Sequence, residues 1–456
     1  MAMKPEHVKT VADAKKIVDE RKLTHVKVGV FDIDGILRGK YMSREKFFGA
    51  LDKGFGFCDV VLGWDLNDQL YDNVQFTGWH TGYPDAEVRL LPHTCREIPI
   101  EGDMLFFLGE FTEAAKAPCP RGVLRRVLAK AKKMGYEVYA GFEYEYFVFD
   151  ETPDSVRAKH YRDLKPMAPG FFGYSVIRNT VHSDFYLETL ELCEKMRFAL
   201  EGLHEETGPG VLEAAIGYDE ALESADKAGL FKTFIKAHAQ LRGRMATFMA
   251  KWNANLPGQS GHMHVSLRKA GKPVFHDPRG RFGMSRTMEQ FVAGQQAYMP
   301  EFLGMVASTV NAYTRMVPGY WAPTHATWGV ENRTCALRVI PGSEKSQRVE
   351  YRISAADGNP YLALAAAVAS GLLGIENKLT LGKPVTGNAY DQKPPARGGL
   401  PSTLWDAAQR LKASKAAREC FGDAFVEHFA ATREWEERQF RKSVTDWELD
   451  RYFEII

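Results

Sequence analysis

Glu143 and Glu145 stand two residues apart in Phe142-Glu143-Tyr144-Glu145-Tyr146-Phe147. The same spacing recurs in Gly261-His262-Met263-His264-Val265-Ser266-Leu267 and in Arg348-Val349-Glu350-Tyr351-Arg352. A fourth stretch, His204-Glu205-Glu206-Thr207-Gly208-Pro209-Gly210-Val211-Leu212-Glu213, holds more acids across a Gly-Pro-Gly turn. On a β-strand, residues two apart project to one face. Each stretch therefore predicts a polar row on one side of a strand and a bulky row on the other. An antiparallel sheet with one wet face alternates in the same way. Residue type separates the two cases. A solvated face usually carries Thr, Lys, Ser and Gln, whereas these rows carry Glu, His and Arg. Their neighbours Tyr144, Tyr146, Val265, Val349 and Tyr351 are large enough for a core.

Carboxylates joined by one or two histidines suit a hard divalent cation, magnesium or manganese, better than thiolate-bound zinc. Arg315, Arg333, Arg338, Arg348 and Arg352 cluster just downstream. Arginine grips carboxylate and phosphate through a two-point fork. A carboxylate-rich metal site beside such cations suits phosphoryl transfer. There is no Gly-x-x-x-x-Gly-Lys-Ser/Thr loop, so a P-loop is not expected. The residues alone thus imply a metal-dependent nucleotide enzyme of open substrate.

The elements that must carry these groups follow from periodicity. Positions 7–22 predict a helix, and Val26 to Val30 a strand that runs into the turn Asp32-Ile33-Asp34-Gly35. Met104 to Phe111 reads as a strand. The segment 112–121, with Pro118 and Pro120, reads as a linker and places a domain boundary after residue 112. Helix is expected over 124–133, 183–201, 225–250, 286–313 and 360–379, and a long strand over 136–150. Pro394, Pro395, Gly398 and Gly399 predict a loop, and 402–440 a charged helical tail.

Of the 456 residues, 45% are hydrophobic and 26% charged, proportions of a soluble protein long enough for two domains. The net charge of +1 gives no reason to expect nucleic acid or an anionic membrane as partner. Met1 to Glu20 lacks the apolar core of a signal peptide. The run Tyr361 to Ile375 is too short for a membrane span and is broken by Ser370, Gly371 and Gly374, so a buried helix is expected. Six cysteines without Cys-x-x-Cys spacing point to a reduced, cytoplasmic protein.

In order and over nearly the whole chain, these stretches resemble the motifs of glutamine synthetases. The resemblance implies an α+β fold: a small N-terminal β-grasp domain (1–112) and a larger catalytic domain (113–456) with a curved antiparallel sheet flanked by helices. It implies ATP, Mg2+ or Mn2+, and a homo-oligomer of two stacked hexameric rings. By the same likeness, Glu145, Glu205 and Glu213 match the ligands of one metal, and Glu143, His262 and Glu350 those of a second. His264, Ser266, Lys345, Arg348 and Arg338 match residues around the nucleotide phosphates, and Tyr218 the aromatic against adenine. Gly258, Arg315, Arg333 and Arg352 match the glutamate site. Asn311 to Tyr320 resembles the family's glutamate-site signature, and Asn359-Pro360-Tyr361 is a further hallmark. Tyr390, in Asn388-Ala389-Tyr390-Asp391, resembles the tyrosine adenylylated in some bacterial members.

Two positions depart from the pattern. After Pro318-Gly319-Tyr320, ammonium-using bacterial members carry a flap Glu that closes the glutamate end and takes a proton from ammonium; here it is Trp321. Pro257 stands where the family has the Asn of its glutamate site. Asp65, in Trp64-Asp65-Leu66, matches the ammonium-binding Asp that crosses from the adjacent subunit. Glu to Trp removes an anion and adds a wide apolar face, which favours an organic amine. Acids (Asp65, Asp68, Asp72, Asp85) and aromatics (Trp64, Tyr71, Trp79, Tyr83) between 64 and 85 suit a diamine or a monoamine respectively. The expected activity is ATP-dependent γ-glutamylation of an organic primary amine. The rivals are ordinary glutamine synthetase, a silent structural relative and, more weakly, a guanidino kinase.

Overall fold

A computed structural model of the chain describes residues 3–102, 104–392 and 399–456. The expected loop at Pro394, Pro395 and Gly398 lies outside the described residues.

The first sheet has six strands, ordered Leu37–Ser43, His25–Phe31, Met104–Phe111, Asp85–Leu90 and Phe55–Cys58, with Arg96–Ile98 added beside Met104–Phe111. His25–Phe31 and Met104–Phe111 run parallel. Leu105 and Phe107 pack with Val26, Val28 and the helices Val11–Glu20 and Arg44–Lys53. The alternate residues Phe106 and Leu108 turn the other way, into the large core of the remaining chain. Burial on both faces explains why 104–109 is continuously apolar, and the buried Glu110 that follows is paired with Arg121 and Arg125.

The second sheet has ten strands. Its main path runs Trp328–Val330, Leu337–Ile340, Arg348–Tyr351, Gly261–Lys269, Glu137–Phe149, Val211–Ile216 and Leu200–Glu205. All neighbours on this path are antiparallel except the first pair. One face is covered by the helix Ala221–Leu241 and its aromatic neighbours, with Tyr144, Tyr146 and Phe231 buried together. The other face is left for chemistry.

Behind the sheet, Arg286–Phe302 and Pro360–Glu376 cross closely, because Gly294 and Gly374 face each other. A Cβ on Gly374 would stand 2.0 Å from the Gln290 carbonyl oxygen. The expectation of a buried helix at 361–375 therefore holds. Among the described residues, no helix is long and apolar enough to cross a membrane.

Several boundaries differ from expectation. The 183–201 segment is a helix only to Lys195, and Leu200–Glu205 is a strand. The 286–313 segment breaks after Phe302, and a separate short helix spans Val310–Arg315. Helix Ala221–Leu241 stops before the strand Met245–Thr247. The tail is three helices, Leu404–Ala413, Lys415–Phe421 and Asp423–Phe440, parted where Ser414 and Gly422 cap the ends. The last of these helices joins the two sheets. His428 meets the Leu62 carbonyl at 2.9 Å, and the Ala431 carbonyl accepts from Asn73 at 2.7 Å. Arg433 donates to Asp34 at 2.6 Å and to the Ser308 carbonyl at 2.6 Å.

Candidate active site

Strand register assembles the polar rows. His262 lies directly across from Glu143, and Glu145 from Glu213. Glu350 lies across from both His264 and Arg338. Directly opposed residues share a face, so five strands aim carboxylate, imidazole and guanidinium at one space. That space is a cavity of about 870 Å³. It is lined by Glu143, Glu145, Glu213, His262, His264, Ser266, Glu350, Tyr218, Lys345, Arg348, Arg338, Gly258, Arg315, Arg333, Arg352 and Trp321. The intervening Tyr144, Tyr146, Val349 and Tyr351 are buried and do not line it.

Two of the expected site residues are elsewhere. Glu205 pairs with Leu212, whose side chain belongs to the core, so its own carboxylate turns away from the cavity. Glu206 lines the cavity in its place and shares Glu213's surroundings with His204. The assignment of Glu205 is thus one residue out of step: a period of two sends adjacent residues to opposite faces. Asp65 does not line this cavity. Its Oδ1 accepts the Asn67 and Gln69 amides at 2.8 and 2.9 Å, and its Oδ2 accepts the Trp435 indole at 3.2 Å. Between 64 and 85, Asp68 pairs with Arg38, Asp72 with Arg438, and Tyr71 packs on Trp435, while Trp79 is exposed.

The electrostatics favour a cation. His262 is buried, and its ring nitrogens have no hydrogen-bond partner among the described residues. Its Nδ1 lies 3.5 Å from Glu143 and 3.3 Å from Glu350. Burial, helped by Arg352, lowers the His262 pKa, leaving the neutral imidazole that a metal requires. Burial works against ionisation of Glu350, but His262, Arg352, His264 and Arg338 outweigh it and hold the carboxyl at about 2. Burial likewise opposes ionisation of Glu143, and His262 and His264 bring it well below the usual range. Glu213 goes the other way. Burial pushes it up to about 8 despite His204, and the charges of Glu143 and Glu145 add to the effect. Such crowding of acids is relieved by a divalent ion. Ligand atoms of Glu143, Glu213 and His262, and of Glu143, His264 and Glu350, lie close enough to share one. An oxygen-rich set with imidazole and no thiolate fits Mg2+ or Mn2+.

The cations are fixed as firmly. Arg338 donates to Glu350 at 3.0 Å and to Glu331 at 2.9 Å. Arg352 donates to Glu350 at 2.5 Å. Arg348 donates to His264 Nδ1 at 3.2 Å, leaving Nε2 toward Glu143. Arg315 is buried on the Ile353 and Arg352 carbonyls, and a Cβ on Gly258 would collide with it at 2.7 Å. Tyr218 is exposed at one end of the cavity, edge-on to Tyr139. Trp321, 55% exposed, stands at φ +59°.

Fold, cavity and donor set agree with the outcome of comparison with known proteins. Residues 117–452 match the family model described as glutamine synthetase, catalytic domain. This chain belongs to the glutamine synthetase family. It is 47% identical to a type-1 glutamine synthetase 2 of Dictyostelium discoideum, over 95% of this chain and 84% of that protein. It is 36% identical to a glutamate–isopropylamine ligase of Pseudomonas sp over the full length of both. Identity to a γ-glutamylethanolamide synthetase of Streptomyces coelicolor is also 36%, over 93% and 91%. The solved structure of GmaS with ADP superposes with a TM-score of 0.84 at 25% identity, covering 96% of this chain and 99% of that one. Glutamine synthetase family ligases in general use ATP and divalent metals, and the cavity has donors for both.

Reading the sequence missed Glu206 and Tyr174. Tyr174 lines the cavity and stacks on His204, with centroids 4.5 Å apart. No local signal separated Glu206 from Glu205, because both precede the Gly-Pro-Gly turn and only strand pairing across it sets which one faces the cavity. Nothing local marked Tyr174, which sits in an irregular loop at φ +58°. The Tyr390 hydroxyl is buried without a partner among the described residues, so adenylylation there would require its turn to open.

Proposed function

We propose that this enzyme joins the γ-carboxylate of glutamate to an organic primary amine, with ATP converted to ADP and phosphate. The observation that carries this reading is Trp321, an indole lining the same cavity as the acids and arginines, at the position where ammonium-using members carry a flap Glu. Glu145, Glu206 and Glu213 would hold one divalent ion, and Glu143, His262 and Glu350 a second. Ions held there would supply positive charge that offsets the charge developing as the γ-phosphoryl group moves. Tyr218 stacks on adenine, and His264, Ser266, Lys345 and Arg348 line the phosphate path. Arg315, Arg333, Arg352 and the Gly258 backbone hold glutamate. The γ-carboxylate oxygen attacks the terminal phosphorus and ADP departs, with Arg338 beside the developing charge. The amine nitrogen then attacks the acyl carbon, phosphate leaves, and the amine gives up a proton.

The relatives named for isopropylamine and ethanolamide chemistry support an organic amine; the 47% identical relative named glutamine synthetase supports the ammonium rival. A full set of ligands and cations argues against a silent relative. The reading keeps residues 1–112 and 113–456 as two domains. It also keeps Asp65 as a residue serving a neighbouring copy in stacked hexameric rings, supported by its absence from its own cavity. Initial rates with ammonium, methylamine, isopropylamine, ethanolamine, aniline and putrescine test the main point. Organic amines are expected to exceed ammonium in kcat/KM, since loss of a positioned base costs ammonium roughly 10²–10⁴-fold. If ammonium leads, the enzyme is an ordinary glutamine synthetase.

A further inference from the structure

Trp321 has a cavity on each side. One is the charged site; the other, of about 580 Å³, is bordered by Phe282, Val330, Pro384 and Val385. Trp321 and Arg333 border both spaces. The ion pair between Arg338, in the first cavity, and Glu331, in the second, crosses the same partition. We infer that the second cavity receives the apolar body of the amine, while its nitrogen reaches past Trp321 to the acyl phosphate. This rests on the amine-ligase reading and specifies its substrate class: primary amines with an extended apolar substituent.

Three features support a built subsite. First, its wall is anchored. The Val385 amide donates to the Trp328 carbonyl at 2.9 Å, and Asn332 Nδ2 donates to the Gly387 carbonyl at 2.8 Å. Second, the partition carries two non-glycine residues in left-handed backbone, Trp321 at φ +59° and Glu331 at φ +51°. Such conformations cost free energy and persist where the surroundings impose them. Third, the two spaces differ in chemistry. The first is crowded with carboxylates and guanidinium groups suited to glutamate and phosphate. The second offers aliphatic and aromatic walls, with Glu331 on its border already neutralised by Arg338, which suits an apolar tail.

The test is a series of n-alkylamines from methylamine to hexylamine, with wild type, Val385→Trp and Val385→Ala. In wild type, kcat/KM should climb roughly two- to fourfold per added methylene over the first carbons, as each is buried. Val385→Trp, which fills the cavity, should halt that climb. Hexylamine should fall roughly tenfold or more below wild type through KM, while methylamine, glutamate and ATP stay within about twofold. A flat wild-type series, or equal losses for methylamine and hexylamine, overturns the subsite. Should Val385→Trp fail to fold, Val385→Ala carries the test: the optimum must move to a longer amine, and an unchanged profile overturns the subsite. Ammonium in the same assay separates the two levels. Ammonium above every amine removes the amine-ligase reading itself. Amines above ammonium with no dependence on chain length remove only the second cavity's role.

Discussion

A single residue step decides which acid faces the cavity. Glu205 and Glu206 are chemically identical neighbours, yet only Glu206 faces Glu213 across the cavity. Glu206→Ala should therefore weaken Mg2+ binding and lower kcat by about two orders of magnitude or more, because the remaining acids are left without a full coordination set. Glu205→Gln should keep kcat within a few fold. Its effect belongs to stability, since one Glu205 oxygen is buried without a partner among the described residues. Calorimetric metal titration beside steady-state rates distinguishes the pair, and equal loss in both variants would contradict the geometry. The other residue types could be read directly from the sequence. Glu143, Glu145, His262, His264 and Glu350 sit in strands whose bulky alternates admit one inward face. The 204–213 stretch gave no such guidance, because two consecutive acids precede the turn and both phases of the alternation look polar.

Elements were legible where one period persisted for two turns or more. Met104–Phe111 and Pro360–Glu376 begin where their patterns begin. Leu200–Glu205 was hidden because Leu200 and Leu203 extend the preceding helix's apolar spacing, and only pairing with Val211–Ile216 makes the segment a strand. The short helix Val310–Arg315 escaped for a different reason: Val306, Ala307 and Ala312 continue the apolar run of the longer helix before it. Glycine placement, by contrast, has a clear physical meaning. Gly294 and Gly374 let two helices approach until a single added methyl group would meet backbone. Gly374→Val should cost roughly 2–3 kcal/mol or more of unfolding free energy. It should also slow turnover, since those helices support the sheet from behind. Urea unfolding measures the first and kcat the second; a variant as stable as wild type would mean the helices have room to part.

At the scale of the whole molecule, the helix Asp423–Phe440 holds the two sheets in one frame. Its Arg433 is buried between Asp34 of the first hairpin turn and the Ser308 carbonyl, and Glu436 accepts the Val310 amide at 2.9 Å. Arg433→Met should destabilise the protein by about 3–5 kcal/mol, because Asp34 and Glu436 lose their shared cation. Thermal unfolding checks the direction. Burial, which Arg433 does not fully offset, pushes the Glu436 carboxyl up to about 7. The folded protein then holds this proton more tightly than the unfolded chain. Its contribution to stability is complete below the ordinary glutamate range and is lost as pH rises toward 7. Unfolding temperatures compared between pH 5 and 8 should therefore fall more steeply in wild type than in Glu436→Gln; parallel curves would exclude the effect. The helix has one more consequence, and it concerns the covalent chain. Residues 62–74 and 308–310 are both gripped by 428–436, far along the sequence. A protease cut within 112–119 should therefore leave two fragments that co-purify and still turn over, whereas a stop codon before Asp423 should loosen the seat of 62–74, with the first sheet held only by contacts such as those of Phe106 and Leu108.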